Sequence, residues 1–123
     1  VGGHFVTGYV DRIDALGDGA CSVIDYKTGK PRNQKDVDAD LQLSMYSLAV
    51  RECLGLRAEQ LSLHFLQTDE IISTTRTDTQ LSEVVEHVLS VAEAISARKF
   101  DPNPDSFKCG RCDYAGICPA MEM

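Results

Sequence analysis

Val6-Thr-Gly-Tyr-Val-Asp-Arg-Ile-Asp-Ala-Leu-Gly-Asp-Gly-Ala-Cys-Ser-Val-Ile-Asp-Tyr-Lys-Thr-Gly29 reads as two strands joined at Gly17-Asp18-Gly19. Val, Ile and Tyr runs broken by an Asp-Gly turn are a strong local signal for a hairpin. The strands also carry charges that a plain hairpin does not need: Asp11, Asp25 and Lys27. Asp25 and Lys27 are two apart and share a face of their strand. Whether Asp11 joins them depends on the turn, because a one-residue slip flips a whole strand. A two-residue Asp18-Gly19 loop pairs Gly17 with Ala20 and sends Asp11 to the opposite face. A three-residue loop, Gly17 to Gly19, pairs Leu16 with Ala20 and Asp11 with Asp25. The three-residue loop is the expectation, because its faces make chemical sense.

One face then holds Tyr9, Asp11 and Ile13 with Cys21, Val23, Asp25 and Lys27, apolar near the turn and charged at the far end. Hard divalent cations such as magnesium take carboxylate oxygens. A neighbouring lysine can hold an anionic group or a water. The plain alternative is an ordinary salt bridge on a solvated sheet face.

Gly8-Tyr9-Val10-Asp11-Arg12-Ile13-Asp14, then Asp25-Tyr26-Lys27-Thr28-Gly29, then Gln42 and Tyr46, resemble the PD-(D/E)XK nuclease superfamily in motif order and spacing. The likeness is to its RecB-like branch, the nuclease domain of helicase-nucleases that process DNA ends, and covers about Gly8 to Pro119. The resemblance implies that Asp11 and Asp25 bind magnesium or manganese, with the Tyr26 carbonyl as a further ligand. It implies that Lys27 positions the attacking water. It also implies a restriction-endonuclease-like α/β core, DNA and a helicase motor as partners, and a cytoplasmic, nucleoid-associated setting in a bacterium or archaeon.

The 123 residues suit one core, and 43% hydrophobic with 25% charged residues is a globular composition. No apolar run approaches the ~20 residues of a membrane helix, and no signal-peptide pattern stands at the start. Because the sequence opens at Val1 in strand-like residues, it is expected to be a piece of a longer protein. The net charge of −7 argues against a generic nucleic-acid coat. It does not exclude a nuclease, since metal offsets carboxylates. Lys27, Lys30, Arg32 and Lys35 cluster in and after the second strand, in a loop suited to phosphates, with Lys30 and Arg32 as DNA contacts.

Thr28 to Asp36 is expected as a polar loop and Val37 to Leu54 as one helix ended by Gly55, apolar on more than one side and so substantially buried. Gln42 and Tyr46 are i and i+4 on that helix and share a face. By the resemblance they are the family's Gln-x-x-x-Tyr motif, which flanks the active site and touches DNA. Gln60 to Gln67 and Ile71 to Arg76 read as strands around a turn at Asp69-Glu70, with His64 structural or solvated. Thr77 to Lys99 keeps one apolar stripe, begins with the Thr77/Gln80 capping-box pattern and carries Arg98 and Lys99 in its last turn. The order is β-β-α-β-β-α, a small mixed sheet flanked by helices.

Cys109, Cys112 and Cys118 follow, spaced Cys-x2-Cys-x5-Cys-Pro. Three clustered thiols without a secretory signal favour metal over disulfides. They resemble the 4Fe-4S staple of RecB-like nucleases, whose fourth cysteine lies far upstream and is not in this sequence. Cys21 and Cys53 fall inside regular elements. The tail is therefore expected with free cysteines, a Cys109–Cys112 disulfide or a recruited zinc. Residues 1–106 are taken as a nuclease core lacking its first helix, and 107–123 as a cysteine-rich iron-sulfur-type tail. The function expected is a metal-dependent deoxyribonuclease, an exonuclease of DNA end processing and recombinational repair. The rivals are a catalytically dead DNA-end-binding module and a zinc or iron-sulfur structural domain.

Overall fold

The hairpin does form, but its turn combines the two alternatives. β1 (Arg12–Gly17) and β2 (Ala20–Lys27) are antiparallel, with Gly17 opposite Ala20 around a two-residue Asp18-Gly19 loop. Both loop residues have positive φ, 52° and 74°, the backbone that a tight hairpin turn with the right twist requires. The expected Leu16–Ala20 pair is absent. A bulge between Ala15 and Gly17 absorbs the extra residue, so the ladder continues as Ala15–Cys21, Ile13–Val23 and Arg12–Ile24. That register carries Asp11 towards Asp25, as the longer loop would have done. β1 starts at Arg12 rather than Val6, and where the next ladder bond would fall the Asp11 carboxylate accepts the Tyr26 N–H.

The structure, a computed structural model, describes residues 1–122. These are mixed α/β, with a four-stranded sheet in the order β1-β2-β3-β4 flanked by helices, consistent with a restriction-endonuclease-like fold. β3 (Arg57–Phe65) runs parallel to β2, and β4 (Glu70–Thr74) antiparallel to β3. Parallel neighbours need a crossover, supplied here by α1 (Gln34–Asp38) and α2 (Leu41–Leu54). β3 begins three residues earlier than expected because pairing with β2 starts at once, Ala20 against Arg57. It ends at Phe65, and Asp69, with φ 56°, closes the turn into β4, which stops at Thr74 rather than Arg76.

The single helix expected from Val37 to Leu54 is two helices. Asp40 has an extended backbone, and its carboxylate caps α2 by accepting the Leu43 N–H at 2.8 Å. The break is held from afar by Arg76, whose Nη2 donates to the carbonyls of Val37 and Asp40 at 3.1 and 3.0 Å. Its Nε donates to Ser44 Oγ and its Nη1 to Thr74 Oγ1. Gly55 closes α2 in the left-handed conformation, φ 65°. Leu43, Tyr46 and Val50 of α2 cover Cys21 and Val23 of β2 and Leu61, Leu63 and Phe65 of β3, with Val37 from α1.

The chain folds as two compact units, Val1–Ser90 and the residues from Val91 onward. α3 (Asp78–Ser96) begins with the capping box as expected: Thr77 N–H to Gln80 Oε1 at 2.8 Å and Gln80 N–H to Thr77 Oγ1 at 3.2 Å. It ends three residues short of Lys99. Arg98 takes a left-handed backbone, and the Lys99 and Arg98 N–H groups return to the carbonyls of Ala94 and Ile95, an arrangement that usually employs glycine. Arg98 and Lys99 thus lie just past the last turn. In the second unit a single turn, α4 (Ser106–Cys109), is capped by Asp105, and the Arg111 guanidinium lies over the Phe107 ring. Among the described residues no helix is long and apolar enough to cross a membrane.

Candidate active site

The charged end of β2 collects the residues that the sequence singled out. Asp25 lies on the core face beside Leu63 of β3 and is only 4% exposed. Lys27 follows on the same face, with its Nζ 2.7 Å from Asp25 Oδ2. That ion pair is the contact Asp25 Oδ2 makes, and among the described residues the buried oxygen meets no other donor. Asp11 is within hydrogen-bond reach of Asp25, and its Oδ2 accepts the Tyr26 N–H at 2.9 Å.

The environments push the two carboxylates apart. The Tyr26 N–H, a donor to the charged form, lowers the pKa of Asp11. Burial raises that of Asp25, against the opposing pull of Lys27. Two neighbouring carboxylates, one of them buried with only the Lys27 ammonium beside its Oδ2, fit a magnesium ion, which takes one or two protein carboxylates and keeps several waters. The donor set is too hard for soft metals.

Gln42 and Tyr46 are turned towards this end of the hairpin. Gln42 Oε1 accepts from Lys27 Nζ at 2.7 Å, and its Nε2 donates to the Tyr46 hydroxyl at 2.9 Å. Tyr46, 8% exposed, donates in turn to the Tyr9 carbonyl at 2.6 Å. Burial raises the pKa of the Tyr46 phenol, which stays protonated. The Tyr26 side chain is directed away from the carboxylates: its hydroxyl accepts from Arg12, and its ring packs 5.6 Å from that of His64. His64 bonds Asp69 at 2.7 Å, a structural contact as expected.

Lys30 is exposed in the loop after β2. Arg32 is paired with the α2 cap, Nη2 to Asp40 Oδ2 at 2.9 Å. Arg76 was not singled out in the sequence. Its five hydrogen bonds join α1, α2 and β4, and nothing in its flanking residues marks it. A surface hollow of about 600 Å3 by the β1–β2 turn, lined by Arg51, Arg57 and Arg76, contains none of Asp11, Asp25, Lys27, Gln42 or Tyr46.

The three tail cysteines are free. Cys112 Sγ accepts the Tyr114 N–H at 3.4 Å and Cys109 Sγ the Glu122 N–H at 3.3 Å. Among the described residues no three His, Cys, Asp or Glu side chains form a group that could hold a metal ion. The tail by itself therefore does not fit a cluster.

Two phage proteins are similar to this chain. "Gene 69 protein" of Mycobacterium phage D29 is 32% identical over 126 residues, covering 98% of this chain and 45% of that protein. "Gene 69 protein" of Mycobacterium phage L5 is 29% identical over 123 residues, covering 95% of this chain and 40% of its own length. The chain thus spans less than half the length of these curated relatives. A sequence profile of the PD-(D/E)XK nuclease superfamily matches residues 1–119. With that match over nearly its whole length, and with Asp11, Asp25 and Lys27 gathered at the end of one hairpin, the chain belongs to the PD-(D/E)XK nuclease superfamily.

Proposed function

We propose that the chain is the catalytic domain of a metal-dependent deoxyribonuclease, an exonuclease that works with a helicase motor on DNA ends during recombinational repair. The observation that carries the reading is the pair of adjacent carboxylates, Asp11 and Asp25, with Lys27 Nζ 2.7 Å from Asp25. Family membership supports phosphodiester hydrolysis as the reaction.

Asp11 and Asp25 would hold magnesium or manganese, with the Tyr26 carbonyl as a further ligand. The bound ion supplies charge neutralisation at phosphate oxygens and a lowered pKa for water. Lys27 donates to the attacking water and offsets developing charge. Lys30 takes a backbone phosphate, and Arg32 presents the N–H groups that Asp40 does not use. Cys109, Cys112 and Cys118 would need to converge and gain a fourth thiolate from elsewhere in the full-length protein before they could hold a 4Fe-4S cluster.

The test is a labelled-oligonucleotide digest by the full-length protein with magnesium and manganese. Asp25→Ala and Lys27→Ala each abolish cleavage while DNA binding and any ATPase persist. One preorganised donor such as Lys27 is worth on the order of 3 kcal/mol, about a hundredfold in rate. Cleavage that survives Asp25→Ala rules this site out as the catalyst.

A further inference from the structure

The hydrogen bonds that run from Lys27 through Gln42 and Tyr46 to Tyr9 have a fixed direction. A backbone carbonyl only accepts, so the Tyr46 hydroxyl must spend its one proton on Tyr9 O, 2.6 Å away. The hydroxyl oxygen is then left as an acceptor, and the amide must turn its NH2 towards it, as Nε2 does at 2.9 Å. That leaves Oε1 facing Lys27, and an ammonium, which only donates, needs an oxygen there, at 2.7 Å. Both ends of the chain demand the same amide orientation independently.

Each end also touches a motif of the site. Tyr9 lies two residues before Asp11, so clamping its carbonyl fixes the segment that delivers the Asp11 carboxylate to the Tyr26 N–H. Gln42 holds Lys27 Nζ, which also reaches Asp25 Oδ2 at 2.7 Å. Tyr46 is 8% exposed and spends its one proton on Tyr9, so its hydroxyl has no donor left for nucleic acid, whereas Gln42 is exposed and keeps a second amide N–H.

We infer that Gln42 and Tyr46 are positioning residues, which lock Lys27 and the Asp11 segment in working geometry, and that this, rather than contact with DNA, is the main role of the pair. The inference rests on the nuclease reading for its consequence in rate, but its structural content is independent of that reading. Removing the hydroxyl frees both the Tyr9 carbonyl and the amide, so the effect reaches Lys27 and Asp11 together. Misplacing a catalytic group by an ångström costs up to about a hundredfold in turnover.

The experiment takes the full-length protein with Tyr46→Phe, Gln42→Leu and Gln42→Glu, all close in volume to the native side chains. Tyr46→Phe and Gln42→Leu each lower kcat about tenfold or more. KM and DNA affinity, measured by fluorescence anisotropy in calcium, change less than about twofold. The double variant is no worse than the poorer single one, because the two act as one chain. Gln42→Glu keeps an oxygen facing Lys27 and retains more kcat than Gln42→Leu. Amide exchange without DNA or metal gives a readout free of activity: Tyr46→Phe speeds exchange of the Tyr26 N–H by about tenfold, because its Asp11 acceptor is loosened. Raised KM and weakened DNA binding with unchanged kcat overturn the inference in favour of direct DNA contact. Unchanged Tyr26 exchange overturns it on structure. A wild-type protein that cleaves nothing sinks the nuclease reading instead, and the exchange result still decides the positioning.

Discussion

Burial raises the pKa of Asp25, so folding favours its neutral form, whereas a metal needs the carboxylate. The folded pKa stands above the unfolded one. The stabilising contribution is therefore fully present below the unfolded value and lost as pH rises through the raised folded value. At neutral pH the buried charge weakens the metal-free fold, and Lys27 offsets only part of this. Asn at position 25 keeps the shape without the charge. Asp25→Asn accordingly stabilises the protein in EDTA by about 1 kcal/mol at neutral pH, and the gain vanishes in acid, where Asp25 is protonated. Manganese raises the Tm of the wild type but not that of the variant. Thermal melts at two pH values, with EDTA and with manganese, check all three statements. Asp11 moves oppositely: its lowered pKa gives stability above the unfolded value that is lost as pH falls through the folded one. At this scale the sequence was largely readable. Asp25 and Lys27 share a face by strand periodicity alone, and Gln42 and Tyr46 by helical periodicity. The hydrogen bonds joining Gln42 to Lys27 and Tyr46 to Tyr9 were not readable, because they bridge separate elements.

At the scale of elements, the four strands, their order, α3 and the register that brings Asp11 towards Asp25 were legible because charges, turn residues and apolar periodicity agree, whereas the turn pairing, the split into α1 and α2 and the short α4 were not. The bulge at Ala15–Gly17 was not, since no residue there announces it and both turn lengths suited the Gly-Asp-Gly run. The helix break at Ala39-Asp40 was hidden for another reason. The apolar pattern continues through it, and the group that holds it, Arg76, stands 36 residues from Asp40. A planar guanidinium reaches two carbonyls, two hydroxyls and a further carbonyl at once. An ammonium has three donors and cannot cover the same fork. Arg76→Lys leaves part-buried acceptors unmet and destabilises the protein by about 2 kcal/mol. Urea unfolding measures the loss. Because α2 carries Gln42 and Tyr46, the same variant lowers turnover in conditions where it remains folded.

At the scale of the whole molecule, the proposed nuclease reading sets a net charge of −7 against a polyanion. On that reading, affinity for DNA comes from a few local cations, since phosphate contacts supply most of non-specific binding. Of the four basic residues between 27 and 35, Lys27 is committed to Asp25 and Arg32 shares its charge with Asp40. Lys30 and Lys35 are exposed, and among the described residues neither has an ion-pair partner. Two to three phosphate contacts follow. Each released counterion contributes about 0.9 to the slope of log K against log salt, so the isolated chain should show a slope between about −2 and −3 on duplex DNA. Lys30→Ala makes the slope shallower by about one, whereas Tyr46→Phe leaves it unchanged. Anisotropy titrations in calcium across ~50–200 mM salt, where binding proceeds without cleavage, read these slopes. The full-length protein, if it brings DNA contacts from outside these residues, gives a steeper slope under the same conditions. Equal slopes for the isolated chain and the full-length protein would assign all DNA affinity to the loop after β2. A slope near zero for the isolated chain would remove Lys30 and Arg32 as phosphate contacts while leaving the carboxylate pair untouched.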